Sequence, residues 1–200
     1  MANLIITVIA IALVAVASLM GAYYGGSAFL NGQAGSYASA LLSEGTQVQG
    51  AFATYLSANL NNPPTAWSDM ITQGYVREIP LFPNVGTNGK GANMGISLDG
   101  SGTYWLWGDI GEVGNNTPDP NAVVCNAIIK AVTGKVPAAI PASGVTHSLL
   151  TGSAATGSGN GTTGCVHNQD YLNDPTSQNI MTDNPGVVPD NHYAFFYRLN

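Results

Sequence analysis

No charged side chain precedes Glu44, and no Lys or Arg flanks the hydrophobic stretch that opens the chain. Charge is scarce elsewhere too: five Lys and Arg stand against eleven Asp and Glu in 200 residues, for a formal net charge of −6. Without a basic patch there is no electrostatic footprint for a phosphate backbone, so direct nucleic-acid binding is not expected. His147, His167 and His192 are scattered and fall at no metal-ligand spacing. Asp170, Asp174, Asp183 and Asp190 lack the spacing of a calcium loop and read as solvated turns. No nucleophile-elbow sequence accompanies the serines. Gly86-Thr87-Asn88-Gly89-Lys90-Gly91 lacks the Gly-Lys-Ser/Thr ending of a phosphate loop and reads as a surface turn. These absences exclude the familiar catalytic and metal constellations. The expectation is a chain that is not an enzyme and carries no cofactor.

What is present is a long apolar run. Leu4, Ile5, Ile6, Val8, Ile9, Ile11, Leu13, Val14, Val16, Leu19 and Met20 dominate the opening, and the sequence stays uncharged through Tyr23, Tyr24, Phe29 and Leu30. A spanning helix needs ~20 predominantly apolar residues. A cleavable secretory signal would carry a basic start and a shorter apolar core, whereas Met1-Ala2-Asn3 is neutral and the run is too long. An ordinary anchor would show flanking Lys or Arg. Removal of a basic leader would leave a neutral N-terminus directly on a hydrophobic helix, and this is the reading adopted.

The helical pattern outlasts the apolar run. Tyr37, Leu41, Val48, Phe52, Tyr55, Leu56 and Leu60 fall on one face at helical period. Pro63 and Pro64 then forbid continuation beyond Asn61-Asn62. An all-apolar half therefore leads into an amphipathic half that packs one face on a domain. Between them Gly21, Gly25, Gly26, Gly32 and Gly35 form a cluster, at ~1 kcal/mol per helical Gly relative to Ala. Close packing of small residues between membrane helices and a stretch able to unwind account for it equally well.

Beyond residue 80 the pattern turns to short strands. Asn93–Leu98 and Thr103–Asp109 flank Asp99-Gly100-Ser101-Gly102, a strong hairpin signal. Val123–Val132 reads as a helix with Pro118, Asp119 and Pro120 ahead of it and Gly134 as its stop. Tyr193–Leu199 is a dense strand former, expected inside the sheet because it would be hazardous as an open edge. Tyr104, Trp105 and Trp107 suit either a sugar platform or, as adopted here, core and cross-strand packing. Asn115-Asn116-Thr117 and Asn160-Gly161-Thr162 match glycan acceptor sequons.

With these features the chain resembles a type IV pilin. The segment Trp67-Ser68-Asp69-Met70-Ile71-Thr72-Gln73-Gly74-Tyr75-Val76-Arg77-Glu78-Ile79-Pro80 is similar to the short helix, Gly-Tyr and Ile-Pro passage that follows the long helix in that family. Cys125-Asn126-Ala127-Ile128-Ile129 and Gly164-Cys165 resemble the type IVb branch, which includes toxin-coregulated and conjugative thin-pilus pilins. The resemblance implies an α+β fold: a hydrophobic helix over 1–36, an amphipathic half over 37–62, and an antiparallel-sheet head over 63–200. Cys125 and Cys165 would close a loop over 125–165 as a disulfide, the natural pairing for two distant cysteines in an oxidising compartment. Such a loop is worth roughly 4 kcal/mol in the chain-entropy model.

The resemblance further implies a homo-oligomeric helical filament on the cell surface, with the apolar residues above at its centre; adhesion, twitching motility, DNA uptake and conjugation are all open as its role. The unassembled subunit would sit in the inner membrane. Its partners would be a prepilin peptidase, a platform protein, an assembly ATPase and an outer-membrane secretin. Pilins usually carry a glutamate near the start of the mature helix to pair with a neighbour's N-terminal amine. If Met1 is the mature first residue, Ile5 holds that place, so Asn3 and Thr7 are the polar groups left to solvate the Met1 amine. The alternatives are a minor pseudopilin and a membrane-anchored extracytoplasmic module for carbohydrate or adhesion.

Overall fold

The computed structural model of the chain describes residues 2–80, 94–98, 102–114, 119–137, 140, 142–143, 162–168, 178–179 and 191–200, with the backbone alone at 2–5, 22–27, 142–143, 168 and 178–179. The turn centre at Asp99–Ser101, the Gly86–Gly91 segment, both Asn sequon positions, His147, the four aspartates from Asp170 to Asp190 and the Met1 residue lie outside the described residues.

Helix α1, Ala2–Ala58, runs unbroken through the glycine cluster. A Cβ at Gly21, Gly32 or Gly35 would meet no atom of the described residues within 4 Å, so packing against those residues does not account for these three. Ser18, Ser39, Thr46 and Thr54 each donate to the carbonyl four residues back, which satisfies their hydroxyls inside the helix. At the end, Leu60 and Asn61 adopt left-handed backbone (φ 57° and 62°). Asn61 N donates to Leu56 O at 2.8 Å, and the two prolines follow. This turn corrects one expectation: Leu60 leaves the buried face and is 88% exposed.

The buried stripe of α1 is Ala34, Ala38, Leu41, Gly45, Val48, Phe52 and Tyr55, spaced alternately four and three as an amphipathic helix requires. It lies on the sheet and on helix α3, Pro120–Thr133. In α3 the Asp119 carboxylate accepts from Asn121 N, Pro120 occupies the first turn where its missing N–H is harmless, and Gly134 (φ 75°) closes the helix. A short helix α2, Trp67–Thr72, is started by Asp69, whose carboxylate accepts from the Thr65 and Ala66 amides at 2.9 and 3.1 Å. The buried Trp67 indole donates to Met94 O at 2.9 Å.

The sheet contains β1 (Gly95–Leu98), β2 (Tyr104–Glu112), β3 (Ala142–Ser143), β4 (Thr163–Asn168), β5 (Gln178–Asn179) and β6 (His192–Arg198) in the order β3-β4-β6-β2-β1-β5. All pairings are antiparallel except β3 with β4. The expected hairpin pairs Leu98 with Tyr104, and the last strand lies inside the sheet between β2 and β4. The chain is therefore a mixed α+β structure. One sheet face (Ile96, Leu106, Ile110, Tyr193, Phe195) packs on α1 and α3. The opposite face gathers Trp105, Trp107, Val166, Ala194 and Phe196 into a second buried cluster. Both indoles pack at an angle to Phe196, so Trp105 and Trp107 form core rather than an exposed sugar platform.

Cys125 of α3 and Cys165 of β4 are joined as a disulfide, with Cα atoms 5.4 Å apart. Helix α1 and strand β6 meet closely at Gly45, where a Cβ would fall 2.5 Å from the Tyr197 ring. Gly45→Ala should therefore cost about 1–3 kcal/mol by overpacking, despite its better helix propensity. Gly50, exposed and with no described residue within 4 Å of a Cβ placed there, should gain up to ~1 kcal/mol on the same change. Thermal melts of the two variants should move in opposite directions; a rise for Gly45→Ala would refute the tight fit.

Burial, reinforced by the nearby Asp119 carboxylate, raises the pKa of the Tyr193 phenol above its ordinary value of 10.0. A raised phenol pKa favours the neutral form in the folded state, so its contribution is complete below about pH 10 and is lost as pH rises through the folded value. Tyr193→Phe should flatten the alkaline fall in melting temperature above about pH 10; an unchanged alkaline profile would contradict this coupling.

Candidate functional site

Among the described residues the exposed large apolar side chains concentrate on the first half of α1. Ile6, Val8, Ile9, Ile11, Leu13, Val14, Val16, Leu19 and Met20 are 50–71% exposed, and Phe29 is exposed as well. At roughly 100° per residue, such close spacing points apolar side chains in every direction. A helix lying in a membrane surface would keep one polar face; this one has none. The Ser18 hydroxyl is turned back onto Val14 O at 2.8 Å, which removes a free polar group from the stretch.

Among the described side chains of α1, Leu30 is the first to be half-buried and Ala34 the first to be buried. The two halves of one continuous rod thus have different surroundings: 34–55 is held by the head, and 6–20 is bare. Each fully buried aliphatic side chain contributes roughly 1.5–3 kcal/mol. Covering this surface is worth on the order of 10 kcal/mol before ordering costs. Apolar surface of this extent marks a site of association. Among the described residues no helix is long and apolar enough to cross a membrane, the described side chains of the stretch running from Ile6 to Gly21.

Of the residues that sequence reading assigned to this surface, Ile6 through Met20 are exposed together on the rod, and Thr7 is exposed beside them. The Asn3, Leu4 and Ile5 side chains lie outside those described. Cys125 and Cys165 are buried in the head, far along the sequence from the rod, and stabilise rather than form the surface.

Two grooves flank α1 where it enters the head. One, of about 650 Å³, lies between α1 and α3 and is edged by Gly35, Ser39, Asn126 and Lys130. The other, of about 420 Å³, lies between α1 and residues 75–80 and holds Glu44, Arg77 and Glu78. Burial raises the Glu44 pKa above the ordinary carboxylate value. Sequence reading treated Glu44 only as the end of the uncharged run. The signal that marks it is its isolation, since the next charged residue is Asp69: a lone charge on the amphipathic half sits where the head begins.

At the far end of β2 and β6, His192 Nδ1 lies 2.9 and 3.0 Å from the two Asp109 oxygens. Asp109 also accepts from Gly111 N at 2.8 Å, across the register shift between β2 and β6. This pair fastens the irregular strand end. Among the described residues no group of three His, Cys, Asp or Glu is placed to hold a metal ion. No family model, curated protein or solved structure matches this chain.

Proposed function

We propose that the chain has the type IV pilin fold and is the structural subunit of an extracellular type IV pilus, a helical homopolymer of the type IVb kind. The observation that carries this reading is the bare apolar half of α1, continuous with a half that is packed on a disulfide-bonded α+β head. A rod apolar on every side is stable only in lipid or among similar rods. In the proposed cycle it anchors the subunit in the inner membrane and then, on extraction, packs against the rods of neighbouring copies. The heads tile the outside through a heterologous contact that does not close. Leu4, Ile5 and the exposed residues from Ile6 to Met20 form the core of the filament, and the role is structural rather than catalytic.

Extraction and polymerisation would use the prepilin peptidase, platform protein, ATPase and secretin that the resemblance implies. Antibody against residues 63–200 should decorate fibres sheared from the cell surface along their whole length in negative-stain microscopy. Protein found only in the envelope, with undecorated fibres, would refute the reading.

A further inference from the structure

We infer that neighbouring copies lock together through the two flanks of α1, the Lys130 edge of α3 in one copy entering the Glu44 groove of the next. The inference rests on the filament reading and names the head contact that the reading leaves open. Three observations lead to it. Glu44 is partly buried in its groove, yet no described hydrogen bond or ion pair within the chain engages its carboxylate. Glu78 stands in the same groove with Arg77, giving two carboxylates to one guanidinium. Lys130 and Lys135, at the end of α3, are exposed and make no ion pair among the described residues.

The placement of these groups on α1 makes the contact heterologous. Taking the buried stripe as the front of the helix, Gly35 and Ser39 lie to one side, with α3 and Lys130; Glu44 and Gln47 lie to the other. A second copy approaching with its rod parallel therefore presents its Lys130 flank to the Glu44 flank. Opposite charges then meet where like flanks would set carboxylate against carboxylate. The two edges are about ten residues apart along α1, or roughly 15 Å at the helical rise. Apposing them displaces the neighbour along the axis, so the contact propagates as an open helix instead of closing as a dimer. The groove's apolar walls, Val48, Val76 and Ile79, cover the stem of the lysine as its ammonium meets the carboxylate.

The test is charge exchange in the full-length chain, assembled in the cell that makes it. Glu44→Lys and Lys130→Glu should each lower the yield of sheared filaments at least tenfold, and the double exchange should restore it to within about threefold. Glu44→Gln should give an intermediate loss. Normal filaments from both single exchanges, while Leu13→Glu still blocks assembly, would overturn the contact and leave the filament reading standing. Defective single exchanges that the double exchange fails to rescue, with heads of unchanged melting temperature, would overturn the pairing as well. A wild-type chain that forms no filament would remove both.

Discussion

Val14→Asp should abolish filaments while leaving the head folded. Val14 is 66% exposed in the subunit, so the substitution removes little packing within the chain. In a bundle of rods its carboxylate would be buried without a partner, at a cost of several kilocalories per mole. Each 1.4 kcal/mol is a factor of ten in an association constant, so filament yield should fall by about 100-fold or more. Leu13→Glu should act alike, and Val14→Leu should assemble normally. A single acid in mid-span is tolerated more readily by a membrane helix, at roughly 2.5–3.5 kcal/mol on insertion scales. The variant subunit should therefore still fractionate with membranes, and its head should keep its wild-type melting temperature. Filaments at wild-type abundance would contradict a buried rod.

The second large effect is on the head alone. Cys125→Ser should destabilise it by about 2–5 kcal/mol. The disulfide closes a loop of 40 residues between α3 and β4, so losing it frees the unfolded chain. Both sulfurs lie in the core beside Ile128, Ile129 and Phe195, and a serine hydroxyl placed there adds an unsatisfied polar group. For a domain of this size a loss of that magnitude lowers the melting temperature by roughly 10 °C. Measured by circular dichroism under oxidising conditions, an unchanged melting temperature would show that the bond contributes nothing.

Elements governed by local chemistry were legible in the sequence. The stop of α3 follows from Gly134, but its start lies at Pro120, three residues before the Val123 that the apolar run suggests, because Asp119 caps the helix and Pro120 fits its first turn; the hairpin follows from Asp99-Gly100 between strand formers. The interior position of β6 follows from its density of aromatic residues, which tolerate no open edge. The stripe of α1 was legible through Leu41, Val48 and Phe52, but Ala34, Ala38 and Gly45 were not, because small residues are buried by what approaches them rather than by their own hydrophobicity. Period alone puts Leu60 on the stripe, and the left-handed turn at Leu60 and Asn61 takes it off. The strand order, the parallel β3–β4 pair and the two-sided sheet depend on contacts distant in sequence. The bare surface from Ile6 to Met20 was the most legible feature of all, since composition alone dictates it. The Glu44 groove was the least, because it exists only where α1 and residues 75–80 come together.

The central claim is that the leading half of α1 exchanges lipid for copies of itself. A cryo-electron-microscopy map of fibres sheared from the cell surface tests it most directly. The account predicts a fibre whose density fits this chain, with residues 6–20 of many copies packed along the axis and the disulfide-bonded heads outside. A map in which those residues face solvent, or cell-surface fibres built from another chain while this one stays solitary in the envelope, would contradict it.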